Sequence, residues 1–282
     1  MDLLLLIIAS LAGGLFSLIG GVLLLNKRVK LDTIMLLAMP FGAGALLGAA
    51  FLGVLPEALH QVHDIGGDES SILLWALVGF AIFFVMERTI RWFHRHHEHG
   101  GVNSHKSLIV IGDTIHNAID GVAIGAAFLV NPALGIATAV AVAAHEIPQE
   151  IGDFGILISK GMKRSKVLIV NVLSSLATLV AALVVYSLGD IVTPIVPMLL
   201  AAVAGFFIYI AASDIIPDIH EQPQKRANIQ AALLLVGIMI IPAAGYVIED
   251  VFGLEHSHGH DSSLEATADE HGHDETAPEA HR

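Results

Sequence analysis

Residues 107–159 read SLIVIGDTIHNAIDGVAIGAAFLVNPALGIATAVAVAAHEIPQEIGDFGILIS, two long apolar segments that meet at the corner Asn131-Pro132. Segments 107–130 and 132–159 both exceed the roughly 20 residues that a helix needs to cross a bilayer. Both carry histidines and carboxylates near their centres rather than at their ends. We therefore predict two membrane helices joined by a tight turn, each with a polar stripe in its middle.

Six more apolar segments of similar length lie on either side of this pair, at 3–25, 33–60, 70–93, 167–188, 191–218 and 227–251. The chain of 282 residues is 55% hydrophobic and only 15% charged, with a mean hydropathy of +0.73. A soluble domain carries about 25% charged residues. The sequence therefore predicts an all-α integral membrane protein with eight transmembrane helices over residues 1–254.

Basic residues support this count of spans. Thirteen of the 14 Lys and Arg residues fall at or in alternate connections, after the first, third, fifth and seventh spans. The positive-inside rule assigns these connections to the cytoplasm, so both termini are predicted to lie outside a cell membrane. The net charge of −13 argues against a nucleic-acid partner. The absence of cysteine excludes disulfides and thiolate metal sites.

Helical geometry gathers the polar residues of the central pair onto one face of each helix. At 100° per residue, those of the fourth span fall within about 100° and those of the fifth within about 140°. An unpaired acid at the bilayer centre costs about 2.5–3.5 kcal/mol, so these side chains must pair, face a cavity or hold a cation. Imidazole, carboxylate and amide ligands suit Zn²⁺, Fe²⁺, Mn²⁺ or Ni²⁺. The residues concerned are Asp113, His116, Asn117, Asp120, His145, Glu146, Gln149, Glu150 and Asp153.

Several alternatives remain open for these residues. A lone membrane histidine is commonly a packed, hydrogen-bonded residue, and chains of acids and histidines also form proton relays. Packing or gating roles stand beside metal binding for Asp113, Asp153, Asp214 and Asp218. A solvated helix end is the favoured interpretation for Glu57, His60 and His63. Pro148 is expected to strain its helix against the carbonyl of Ala144 and to widen a path there.

Two motifs give the chain a resemblance to a known family. HNAIDG at 116–121 and HEIPQEIGDFGIL at 145–157, with the His-rich loop before them, resemble the ZIP family of metal transporters and its histidine-rich HExPHE branch. The resemblance implies an eight-helix fold with inverted repeats and a binuclear metal site between the fourth and fifth helices. It also implies a homodimer and uptake into the cytoplasm of Zn²⁺, with Fe²⁺, Mn²⁺, Cd²⁺ and Ni²⁺ as further candidates. The metal would be the transported substrate, and no cofactor is expected.

The same resemblance implies the metal ligands. The fourth helix would supply His116, Asn117 and Asp120, and the fifth would supply His145, Glu146 and Glu150. This chain has Gln149 where the branch usually has a second histidine, so an amide replaces an imidazole among the candidate ligands. Ala49 stands where the branch often has an acid, so the second helix is expected to offer no ligand.

Two other functions share parts of this pattern. The pair His145-Glu146 occurs in the H-E-x-x-H helix of metalloproteases, but Gln149 stands where that chemistry needs its second histidine. A metal/proton efflux antiporter is the alternative transporter, since His116 and Asp120 fit one of its metal-binding pairs. Eight spans and an external carboxyl terminus argue against it.

Histidines also crowd two segments outside the spans. The predicted cytoplasmic loop 94–105 holds His94, His96, His97, His99 and His105. Residues 255–282 form an acidic, His-rich tail whose composition is that of a disordered segment. Both are expected to bind metal with fast exchange, the loop on its way out of the pore and the tail outside.

Overall fold

A computed structural model describes residues 2–23, 31–96, 102–222 and 226–252, and these residues form eight helical rods in the predicted order. The rods are α1 (Asp2–Leu23), α2 (Leu31–Gly48, Ala49–Val54 and Leu55–Asp64), α3 (Glu69–His96), α4 (Val102–Val130), α5 (Pro132–Ser159), α6 (Arg164–Ser187), α7 (Gly189–Val192, Thr193–Ile195, Val196–Tyr209, Ile210–Ile215 and Ile216–His220) and α8 (Ala227–Phe252). By length and composition alone, five of these described helices could cross a membrane, namely α2, α3, α6, α7 and α8.

Among the helix ends that differ from the sequence prediction, α2 continues past His60 to Asp64, α3 continues past Phe93 to His96, and α4 begins five residues before Ser107. The loop predicted at 94–105 therefore contributes His94, His96 and His105 to helix ends. His97 and His99 lie outside the described residues, as does the predicted tail 255–282.

The corner between α4 and α5 is built as the sequence suggests. Asn131 has an extended backbone, and its side-chain oxygen accepts a hydrogen bond of 2.7 Å from the backbone N–H of Leu134. Pro132 follows at the first helical position, where its missing N–H costs nothing. The two helices that carry the polar stripes are thus joined by a single residue.

Neighbouring helices sort the bundle into two groups of four. In the first group, α1 packs on α5 and α6, and α4 packs on α5 and α6; in the second, α2 packs on α8 and α7 packs on α3. The helices α1–α3 and α6–α8 have equivalent neighbours: α1 with α5 matches α6 with α4, and α2 with α8 matches α7 with α3. Helices five apart in an alternating bundle run in opposite directions, which makes this an inverted repeat.

The second helix of each repeat contains a π-helical segment, Ala49–Val54 in α2 and Ile210–Ile215 in α7. Each is followed by a proline at the next turn, Pro56 or Pro217. Proline has no N–H and crowds the carbonyl four residues earlier, so the turn before it widens. Asp214 and Ile215 of the second π segment line the cavity described below.

Small residues allow the helices within a group to touch. A Cβ on Gly205 of α7 would come within 2.0 Å of the carbonyl oxygen of Ala76 on α3, and a Cβ on Gly44 of α2 within 2.1 Å of that of Leu234 on α8. Lipid tails offer no hydrophobic driving force between helices, so close backbone packing of this kind is the main source of stability.

Candidate metal centre

Four predicted site residues meet near the middle of α4 and α5. The Nε2 atoms of His116 and His145 are 3.3 Å apart. Asp120 Oδ2 lies 3.8 Å from the first of these nitrogens and 3.4 Å from the second. Glu146 Oε1 lies 3.3 Å and 3.8 Å from the same two nitrogens. One nitrogen or oxygen from each of the four side chains therefore faces a common point.

These spacings match a tetrahedral zinc site. Zinc binds nitrogen and carboxylate oxygen at about 2.0–2.2 Å, so the edge of the ligand tetrahedron is about 3.4 Å. The five separations above, 3.3–3.8 Å, bracket that length. We call this set, His116, Asp120, His145 and Glu146, the histidine group.

The protonation of His145 also suits a metal ligand. Its Nδ1 lies 3.0 Å from the backbone oxygen of Ala141 on the preceding turn. A carbonyl oxygen only accepts, so Nδ1 must carry the proton and Nε2 keeps its lone pair for the common point. The imidazole is thereby held in the tautomer that can bind a cation.

A second set of ligands adjoins the first. Asp113, Glu146 and Glu150 place carboxylate oxygens within 4.8 Å of one another, and all three residues are buried. We call this set the carboxylate group. Glu146 belongs to both groups, and carboxylates that belong to two sites hold ions about 3.5–4 Å apart in two-metal centres.

Buried oxygens without donors mark the same place. Within the described part of the chain, six buried carboxylate oxygens have no hydrogen-bond partner. They are Asp113 Oδ2, Asp120 Oδ2, both oxygens of Glu146 and both oxygens of Glu150. A buried charge without a donor is costly unless it is paired or holds a cation. The donor set therefore fits divalent cations.

Not every predicted ligand lies in these groups. Asn117 is fully buried, but its Nδ2 donates to Asp113 and its Oδ1 accepts from Thr178, both at 3.0 Å. Gln149 is half-buried and lines the cavity below the histidines. Asp113, for which the sequence left packing or gating open, lies in the carboxylate group, and its place on the stripe of His116 and Asp120 was the available signal.

A polar stripe on α6 was missed by the sequence analysis. Asn171, Ser174, Ser175 and Thr178 are all buried, at spacings that place them on one face of the helix. The signal was present in those spacings, but residues 167–185 contain no acid, histidine, lysine or arginine. Its apolar composition predicts a membrane span and no site.

A cavity of about 400 Å³ extends from His116 and His145 toward the end of the bundle where the basic connections lie. It passes Met35 near the start of α2, Glu87 in the second half of α3 and Asp218 near the end of α7. Five acids line it, Glu87, Asp113, Asp153, Asp214 and Asp218, and its described lining residues include no Lys or Arg. The cavity is therefore lined by acids and leads from the histidines toward one end of the bundle.

The structure also places Pro148 and the two histidines near the end of α2. The helix α5 is continuous over Pro132–Ser159 despite Pro148. The carbonyl oxygen of Ala144, four residues before the proline, packs against Gly42 of α2, where a Cβ would lie only 2.8 Å from it. At the opposite end from the cavity, His60 lies 3.4 Å from Asp64 and His63 lies 2.9 Å from Glu69, with all four side chains exposed. These exposed pairs fit the favoured interpretation of a solvated helix end.

Comparison with known proteins gives the family. The model of the family described as ZIP Zinc transporter matches residues 3–108 and 101–243. Zinc transporter ZIP13 of Pongo abelii is 30% identical over 226 residues, or 77% of this chain and 66% of that protein. Zinc transporter ZIP10 of Homo sapiens is 35% identical over 141 residues, or 45% of this chain and 17% of that protein. Zinc transporter ZIP4 of Rattus norvegicus is 27% identical over 268 residues, or 71% of this chain and 41% of that protein.

The matches thus span less than two thirds of the length of these three relatives. The family match itself covers most of the chain and includes every member of the two ligand groups. ZIP transporters are multi-pass membrane proteins, in agreement with the eight predicted spans. The chain belongs to the ZIP zinc transporter family.

Proposed function

We propose that this protein carries divalent metal ions, with Zn²⁺ as its main substrate, across the membrane and into the cytoplasm. The observation that carries the proposal is the histidine group, whose five ligand separations of 3.3–3.8 Å fit a zinc tetrahedron at the centre of two membrane helices. The names of the relatives, all zinc transporters, support the same substrate. Membership of a transporter family also favours transport over catalysis.

Two ions would bind next to each other in this site. The histidine group offers two nitrogens and two oxygens, a set that suits Zn²⁺. The carboxylate group offers only oxygens, a set that harder ions such as Mn²⁺ also accept. Glu146 would join the two ions, so binding at one position changes the charge felt at the other.

The cavity and the basic residues support the proposed direction of transport. The cavity extends from the site toward the end of the bundle where α3 ends and α4 begins, and the positive-inside rule assigns the basic connections of the sequence to the cytoplasm. An ion in the site would leave along the five acids toward that side. The protein would lie in the membrane that bounds the cell, with both termini outside.

Uptake into sealed proteoliposomes tests the proposal. Protein of known orientation is reconstituted with a zinc-sensitive dye inside, and the initial rate is measured against external free Zn²⁺ and in competition with Fe²⁺, Mn²⁺, Cd²⁺ and Ni²⁺. We expect saturable entry from the face opposite the basic connections, without an imposed proton gradient. Zn²⁺ movement that occurs only when protons flow in the opposite direction would instead indicate the efflux antiporter.

Topology and assembly need separate measurements. A reporter that is active only in the cytoplasm, fused after Arg282, is expected to be silent. An active reporter would contradict the proposed orientation. The family resemblance leads us to expect a homodimer, which mass measurement of the protein in detergent will test.

A further inference from the structure

A polar contact between α3 and α7 lies at the wall of the cavity. The hydroxyl of Tyr209 on α7 donates a hydrogen bond to Oε2 of Glu87 on α3. Tyr209 is almost fully buried, whereas Glu87 is half-buried and lines the cavity. The contact therefore joins a side chain of the protein interior to one of the five acids of the cavity.

Phenylalanine rings of α3 restrict the direction of the Tyr209 hydroxyl. The centroid of the tyrosine ring lies 5.1 Å from that of Phe80, 5.4 Å from that of Phe83 and 6.3 Å from that of Phe84. Phe83 also meets His116 of the histidine group edge-on, with centroids 5.7 Å apart. The carboxylate that accepts the hydrogen bond is thus carried one helical turn beyond the phenylalanine that touches a candidate metal ligand.

The inverted repeat shows that packing of this helix pair does not require the contact. Tyr209 immediately precedes the π segment of α7, and Gly48 immediately precedes that of α2. Four residues earlier in each helix, Gly205 and Gly44 make equivalent close contacts with α3 and α8. A Cβ on Gly48 would lie 2.4 Å from the carbonyl oxygen of Ile238, so α2 packs on α8 at this level by backbone alone. Only the pair on the side of the cavity carries a tyrosine here, which favours a role in ion passage over one in folding.

We propose that Tyr209 is a positioning residue of the ion path, which holds the Glu87 carboxylate toward the cavity so that its charge acts on the passing cation. The inference rests on the proposed function, because it takes the cavity as the route between the histidine group and the cytoplasm. Without the hydroxyl, the glutamate can turn toward the exposed part of α3, where Arg88 and Thr89 follow it. Its charge would then be spent on solvent instead of the ion.

The size of the effect follows from the charge of the cavity. A cleft lined by charges of one sign raises the association rate of an oppositely charged ligand by about 10- to 1000-fold. Shared equally among the five acids as a product of factors, this is about 1.6- to 4-fold for each acid. Salt removes the factor, because charges are screened beyond about 3 Å at roughly 1 M ionic strength, compared with about 30 Å at roughly 0.01 M.

The experiment measures how fast Zn²⁺ associates with the purified, metal-free protein, by stopped flow against a zinc-sensitive dye at both ionic strengths. At low salt, Glu87→Gln keeps the hydrogen-bond acceptor but loses the charge, and should slow association by about 1.6- to 4-fold. Tyr209→Phe keeps the ring and should also slow association, by at most the same factor. The double variant should match Glu87→Gln alone, and all three should equal the wild type at high salt. Tyr186→Phe is the matched control, since Tyr186 on α6 does not line the cavity.

A wild-type rate in Tyr209→Phe at low salt would overturn the proposal. Slowing that persists at high salt would also overturn it, because the cause would then be altered structure and not charge. A double variant slowed by the product of the two single factors would show that Tyr209 acts independently of Glu87. A wild-type rate in Glu87→Gln would remove the proposal at its first step. Failure of the proposed function appears separately, as a wild-type protein that binds Zn²⁺ but does not carry it into proteoliposomes.

Discussion

Replacing Glu146 by glutamine removes the one carboxylate that both ligand groups share. The groups together contain four carboxylates, Asp113, Asp120, Glu146 and Glu150, and two neutral histidines. Four negative charges balance two divalent ions, so the loaded site is neutral. Glu146→Gln keeps the shape of the side chain but leaves one uncompensated positive charge in the middle of the membrane.

The magnitude follows from the cost of a charge at that depth. About 2.5–3.5 kcal/mol for one charge at the bilayer centre corresponds to roughly 60- to 320-fold in affinity, at 1.4 kcal/mol for each factor of ten. We therefore expect Glu146→Gln to lose one ion at wild-type saturating Zn²⁺. Its uptake at limiting Zn²⁺ should fall by about 100-fold on the same reasoning. Without metal, the variant should melt at a higher temperature, because one of four mutually repelling carboxylates is gone.

The assay combines the proteoliposome uptake rate, ion stoichiometry and thermal unfolding of the metal-free protein. Glu69→Gln is the matched control, because Glu69 is an exposed carboxylate at the start of α3, where it contacts only the end of α2 among the interactions described. A Glu146→Gln protein that binds two ions with wild-type affinity and transports normally would refute the charge balance and the shared role of Glu146.

Three further predictions use the same assays. Gln149→His should retain transport and shift preference toward Zn²⁺, since imidazole binds zinc better than a neutral amide does; an unchanged ranking of metals would show that position 149 does not touch the ion. Uptake at limiting metal should fall as external pH drops from about 7 to about 5, mainly through a higher apparent KM, because the ligands must lose protons to bind metal; a rate that rises toward the acid end would indicate proton coupling instead. Gly205→Ala should lower the stability of the bundle by about 1–3 kcal/mol through overpacking, because its Cβ would lie 2.0 Å from the Ala76 oxygen, whereas Gly155→Ala, with nothing within 4 Å, should be neutral in thermal unfolding.

The helices themselves were predictable because hydropathy and charge act locally. Segment 132–159 was predicted with the ends that the structure has, since Asn131 caps the helix and Pro132 begins it. The ends of α3 and α4 were less predictable. A helix can continue into water past its apolar segment, and apolarity alone does not report where it stops.

The polar stripes were also predictable from the sequence, because the helical repeat of 3.6 residues per turn determines which side chains share a face. His116, Asp120, His145 and Glu146 were all named as candidate ligands, and the structure brings their ligand atoms within 4.8 Å of one another. Spacing along one helix could not say how far that helix is rotated toward its partner.

Only the tertiary structure decided what each member of a stripe touches. Asp113 faces Glu146 and Glu150, whereas Asn117, on the same helix face, turns to α6 and meets Thr178, 61 residues away in the chain. That division depends on two helix–helix contacts at once, α4 against α5 and α4 against α6. Sequence periodicity defines the polar face of each helix separately. The site between the helices depends on how they pack, which is set by the contact of Gly121 with Thr178 and by the single-residue corner at Asn131.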